Sequence, residues 1–148
     1  MRPFLTKPVA HKLSDYKYHL TIPTRWNDND IYGHINNAVY YFYFDTVVNR
    51  YLIETGALDL DVPKQIGLVV DTGCAYFAPA SFPDDIVAGL RVGKLGNSSV
   101  RYEIGLFRNA ETTACAQGHF VHVYVDAQTR RPVTIGAAMR EGLAKILV

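Results

Sequence analysis

Between residues 37 and 54 the chain spells one broad apolar helical stripe, and every other element must be arranged to cover it. Tyr40, Phe44, Val47 and Tyr51 recur at intervals of three and four, Tyr43 and Val48 widen the stripe, and Asp45, Asn49, Arg50 and Glu54 fall off it. Asn36 is a suitable N-cap, and Gly56 a suitable C-terminal stop. A single helix this apolar needs a large covering surface. The residues downstream supply it: Gly67–Phe82, Ile86–Leu95, Ser99–Arg108 and Thr113–Val125 are β-branched and aromatic runs, separated by PDD at 83–85, GNS at 96–98 and RNAET at 108–112. Four strands joined by short turns predict an antiparallel meander. Upstream, Tyr16–Trp26 carries Tyr18, Leu20 and Ile22 on one face and reads as a strand ending near Pro23. The predicted class is α+β, with an antiparallel sheet of about five strands wrapped around one long central helix.

In HFVHVYVDA, the aliphatic Val121, Val123 and Val125 oppose Phe120, His122, Tyr124 and Asp126, so both faces of the last strand are expected to be partly covered. Ala138, Leu143 and Ile146 or Leu147 predict a short closing helix within 135–147. With 148 residues, 49% of them hydrophobic, the chain suits one domain spanning 1–148.

Charge excludes some functions. A formal net charge of +1 gives no broad electrostatic footprint for nucleic acid or an anionic membrane. No apolar stretch approaches the roughly 20 residues needed to span a bilayer, and MRPFLTKPVAHKLSDYKYHL has no apolar signal core, so a cytoplasmic protein without membrane insertion is expected. Cys74 and Cys115 belong to no metal or redox spacing and read as two buried thiols. His119 and His122, three apart on a strand, point to opposite faces, and no metal site is expected.

The segment before the helix, NDNDIYGHINN, is rich in residues that favour turns and helix starts. Chemically, it offers a carboxylate, Asp30, just upstream of a helix N-terminus whose free amides and positive dipole end can polarise a carbonyl. RWNDNDIYGHINNAVY at 25–40 resembles the signature of the hotdog-fold acyl thioesterases of the 4-hydroxybenzoyl-CoA thioesterase type and of the related plant acyl-carrier-protein thioesterases. The matching residues are Asp28, Asp30, Gly33, His34, Asn36, Asn37 and Tyr40. Strand, motif, helix and four strands follow in the family's order, so the resemblance covers the chain from about residue 16 onward.

The resemblance implies a hotdog fold that hydrolyses acyl-CoA to free acid and CoA, the coenzyme being part of the substrate and no other cofactor being needed. It assigns the nucleophile or general base to Asp30, leaving those two roles open, and the carbonyl-polarising amide to the helix start near Asn37. His34 would donate to the carbonyl, orient the carboxylate or brace the loop. Gly33, Asn36, Asn37 and Tyr40 would shape the substrate site, while Asp28 fits a capping or turn role. Where the plant enzymes have an Asn two residues after the aspartate, this chain has Tyr32. The family also implies a homodimer or homotetramer with the site at the subunit boundary, and basic residues holding the CoA phosphates: Arg91, Lys94, Arg101, Arg130 and Arg131 are the candidates. Two competing readings are a hotdog hydratase or dehydratase, which calls for an acid on the central helix where only Asp45 and Glu54 qualify, and a non-catalytic acyl-CoA binding protein. The Asp-x-Asp run and the presence of Asp30 favour the hydrolase.

Overall fold

The structure is a computed structural model describing residues 8–58 and 64–148. Residues 1–7, part of the segment read as having no signal core, lie outside the described residues. In chain order the elements are β1 (Tyr18–Pro23), α1 (Val39–Glu54), β2 (Gln65–Tyr76), β3 (Asp85–Leu95), β4 (Ser99–Arg108), β5 (Ala116–Asp126) and α2 (Ala137–Ala144). Single 3-10 turns at Leu13–Asp15 and Trp26–Asp28 flank β1. No helix among the described residues is long and apolar enough to cross a membrane.

The five strands form one antiparallel sheet in the order β1-β3-β4-β5-β2. The expected meander therefore holds for β3, β4 and β5 only. β2 does not pair with β3; it lies at the edge beside β5. The reason is the connection. The run read as strand to Phe82 leaves the sheet after Tyr76, in a stretch containing Pro79, which has no N–H for a ladder. Residues 77–84 form a connector rather than a tight turn, and that length lets the chain reach β3 from the opposite edge. Within β2 the register steps by one between Val69 and Asp71, leaving Val70 as a bulge.

The apolar stripe of α1 lies against one sheet face. Phe44, Val47 and Val48 are fully buried, and they pack with Ile86, Leu90, Tyr102, Ile104 and Phe120. Each such side chain contributes about 1.5–3 kcal/mol by leaving water. The aromatic face of β5 is the one beneath α1, with Phe120, His122 and Tyr124 all buried. Burial holds His122 down to about pKa 4, and among the described residues its Nε2 has no hydrogen-bond partner. Gly67 of β2 is required here, since a β-carbon would stand 2.9 Å from His122 Nδ1. On the opposite face, His119 meets Asp71 at 2.9 Å. Part of that face is covered by the N-terminal arm, tied down where the Gln117 side chain bonds the backbone of His11 and Val9.

At its C-terminus α1 closes as expected. Gly56 has φ +73°, its N–H reaches Ile53 O, and the Ala57 N–H reaches Leu52 O. At its N-terminus the assigned helix begins at Val39, two residues after the expected start. Asn36 nevertheless caps it: its Oδ1 accepts from the Ala38 N–H at 2.9 Å, and its carbonyl accepts from the Val39 N–H. The closing helix is shorter than the expected segment, and buries Met139 and Leu143.

Candidate active site

Two aspartates stand two residues apart ahead of α1, and the fold treats them differently. Asp28 is 1% exposed. Its carboxylate accepts from the Arg25 backbone N–H at 2.8 Å, from the Arg25 guanidinium at 3.0 and 3.1 Å, and from the Tyr43 hydroxyl at 2.8 Å. Burial pushes its pKa up, but the Arg25 amide, the Tyr43 hydroxyl and the Arg25 charge outweigh it and hold the carboxyl below its ordinary value. Asp28 thus ties the end of β1 to α1, as its capping or turn reading implied.

Asp30 opens a small hairpin. Asn29 pairs with Ile35, the Asp30 N–H bonds His34 O at 2.9 Å, and the Asn36 N–H bonds Asp28 O at 2.9 Å. The turn runs from Asp30 to Gly33, closed by the Gly33 N–H on Asp30 O at 3.1 Å, and Gly33 takes φ +79°. Asp at the first position and Gly at the last are what such a turn favours. The half-buried Asp30 carboxylate braces it, Oδ1 accepting from the Tyr32 N–H at 2.8 Å. Among the described residues, Asp30 Oδ2 accepts no hydrogen bond. The connector between β2 and β3 clamps the hairpin: Ile35 N–H to Ala80 O, Ser81 Oγ to Gly33 O at 2.7 Å, and Phe82 N–H to Asn29 Oδ1 at 3.0 Å.

Beside the hairpin lies a cavity of about 280 Å³ lined by His34, Ile35, Asn37, Tyr40 and the stretch 76–79. The structure therefore brings together His34, Asn37 and Tyr40. Asp30 joins them at one remove, paired across the hairpin with His34, whereas Gly33 and Asn36 shape the loop without lining the cavity. Tyr40 and Tyr76 meet ring edge to ring face, centroids 5.0 Å apart. Burial pushes the Tyr40 hydroxyl up to about 12 and raises that of Tyr76 as well, so both remain protonated donors at neutral pH.

The backbone amides at the helix start are unequally occupied. Those of Ile35, Asn36, Ala38 and Val39 each have an acceptor. Among the described residues those of His34 and Asn37 have none, and both residues line the cavity. An unclaimed amide at the positive end of a helix dipole can bind a carbonyl oxygen as it gains negative charge.

The remaining candidates lie elsewhere. Arg91 and Arg101 both bond Glu103, at 2.9 and 3.0 Å, on the sheet face away from α1. None of Arg91, Lys94, Arg101, Arg130 and Arg131 lines the 280 Å³ cavity. The basic residue touching its wall is Arg108, which donates to Pro79 O at 2.7 Å and pairs with Glu111. It escaped the sequence reading because only the return of the connector brings Pro79 to β4. Tyr76 escaped for the same reason, reading as one aromatic of a strand. Cys74 and Cys115 are free thiols, half-buried and buried, each pushed up to about 11 by burial, which makes them poor nucleophiles. No cluster of three or more metal-ligating side chains occurs among the described residues.

A carboxylate, a helix start and an adjoining cavity thus stand together at one end of this sheet. The profile of the thioesterase-like superfamily matches residues 24–143, and the chain belongs to that superfamily. It is a thioester hydrolase. Among solved structures, the PA5185 protein of Pseudomonas aeruginosa strain PAO1 is 51% identical with a TM-score of 0.91, covering 93% of this chain and 96% of its own. The PA2801 protein of the same species is 29% identical, with a TM-score of 0.77 over 85% and 97% of the two chains. A thioesterase of Thermus thermophilus, complexed with coenzyme A and Zn, is 28% identical, with a TM-score of 0.73 over 89% and 95%.

Proposed function

We propose that the chain is a hotdog-fold thioesterase that hydrolyses acyl-CoA, with Asp30 as the reacting carboxylate and the Asn37 amide as the donor to the thioester carbonyl. The observation that carries this reading is that Asn37, whose N–H has no acceptor among the described residues, lines a cavity beside the hairpin that holds Asp30. Asp30 Oδ2 either attacks the carbonyl carbon, expelling CoA thiolate and leaving an anhydride that water opens, or takes a proton from water that attacks in its place. Both routes place negative charge on the carbonyl oxygen, where the amide stabilises it. His34, in the same wall, donates to that oxygen or orients the carboxylate, and Tyr40 lines the acyl side. The chemistry draws on no cofactor beyond the CoA of the substrate.

A homodimer or homotetramer is part of the reading. β2 is an edge strand with Leu68, Val69 and Val70 exposed at 38%, 49% and 61%, and a second copy continuing the sheet there would cover them. The test is release of free acid across a panel of acyl-CoA substrates by the parent and by Asp30→Asn. Asn can still accept from the Tyr32 N–H, so the hairpin should persist while turnover falls about 100-fold or more. Turnover within a few-fold of the parent would remove Asp30 from its role. The same preparation should scatter light as a multiple of the 16.6 kDa chain.

A further inference from the structure

We infer that Tyr76 is a positioning residue for this hydrolysis, holding the first peptides of α1 so that the Asn37 amide faces the cavity. The inference rests on the proposed role of that amide and adds to it the side chain that fixes it.

The argument starts from the carbonyl of Asn37. In a regular α-helix this oxygen would receive the N–H of Tyr41. Here the Tyr41 N–H goes instead to Ala38 O, at 3.2 Å, so the first turn is tightened and the Asn37 carbonyl is left outside the helical ladder. The Tyr76 hydroxyl takes it up, donating at 3.1 Å across 39 residues of chain. Asn37 thus has both its peptide groups out of the ladder: a carbonyl held by Tyr76, and an amide that, among the described residues, nothing holds.

The rest of the tyrosine is fixed as well. It is the last residue of β2, its ring stands at 90° to that of Tyr40, and it lines the same cavity as His34 and Asn37. Burial keeps the phenol protonated, so the donor is present at any pH at which the protein would be assayed. Without this bond the Asn37 carbonyl could turn back toward the Tyr41 N–H. The Asn36–Asn37 and Asn37–Ala38 peptides would then lose the orientation that aims the free amide.

The test is Tyr76→Phe, which keeps the ring on Tyr40 and removes only the hydroxyl. In enzyme shown to be folded at the assay temperature by thermal melting, kcat on the best acyl-CoA should fall about five- to ten-fold, the worth of one hydrogen bond, with KM within about two-fold. In substrate-free protein, the Asn37 amide resonance should shift between parent and variant. A raised KM at unchanged kcat would make Tyr76 a ground-state contact of the substrate and overturn the inference. Unchanged kcat with a lowered melting temperature would make it merely structural and overturn it equally, as would an Asn37 amide that does not move. The proposed function fails separately: the parent would then hydrolyse no acyl-CoA, or Asp30→Asn would stay active, whatever Tyr76→Phe does.

Discussion

The two ends of α1 solve the same problem to different degrees. At the C-terminal end, Gly56 in a left-handed conformation lets two N–H groups turn back onto Leu52 and Ile53, and the carbonyls of Tyr51, Leu52 and Ile53 are all paired. At the N-terminal end, Asn36 caps one amide with its side chain and another with its carbonyl, yet the neighbouring amide, that of the cavity-lining Asn37, has no acceptor among the described residues. Helix N-termini ordinarily leave some amides to solvent, so what sets this end apart is that Asn37 also lines a cavity. The incomplete capping marks the end where a ligand can supply the missing acceptor.

The sharpest way to break this comparison is at Asn37. Asn37→Pro removes an N–H that bonds nothing among the described residues, at a position one residue after the cap where proline's fixed φ suits a helix. Turnover should drop about 100- to 1,000-fold, as for other oxyanion donors, with little change in melting temperature, while Asn37→Ala should stay close to the parent. An active proline variant would move the donor to the His34 amide or ring.

A second measurement asks whether acid acts on the span between the two ends. His122 lies under α1 with its pKa lowered by burial from 6.5 to about 4, so the unfolded chain takes up a proton that the folded one refuses. This group leaves stability unaffected above pH 6.5 and lowers it progressively as pH falls toward 4, by up to about 3 kcal/mol. Urea denaturation at pH 7 and pH 4.5 should show that loss in the parent and less of it in His122→Phe. Equal losses would place the acid sensitivity elsewhere.

The smallest effect is expected at the well-capped end. Gly56→Ala meets open space but must hold φ +73°, costing about 1–2 kcal/mol in thermal or urea melts and leaving kcat unchanged. Lost activity in a folded Gly56→Ala protein would erase the division of labour between the two termini.

What could be read from the sequence was what neighbouring residues encode. The stripe from Tyr40 to Tyr51, the stop at Gly56 and the cap at Asn36 are relations within one helix, and the structure has each of them. The hairpin turn, with Asp30 first and Gly33 last, is equally local, although in sequence its segment reads only as a loop before the helix. The placement of β2 was not legible, because alternation shows which face a strand buries and not which strand it pairs with. Whatever depends on that crossing was hidden too: Ala80 and Ser81 clamping the hairpin, Arg108 against Pro79, and the Tyr76 hydroxyl on Asn37. His34, Asn37 and Tyr40 line one cavity, whereas Arg91 and Arg101 are engaged with Glu103 on the other face.

The bulge at Val70 bears on how this strand is aligned with any other. Before it, Gly67 and Val69 lie opposite Tyr124 and His122; after it, Thr72, Cys74 and Tyr76 lie opposite Phe120, Gly118 and Ala116. The side of the sheet that faces α1 is thus carried by odd-numbered residues on one half of β2 and by even-numbered residues on the other. An alignment that runs through Val70 without a one-residue step, against a strand that lacks the bulge, assigns every side chain from Asp71 to Tyr76 to the wrong face. It would match Tyr76 with a residue pointing away from the helix, and a search for its counterpart would return the wrong position.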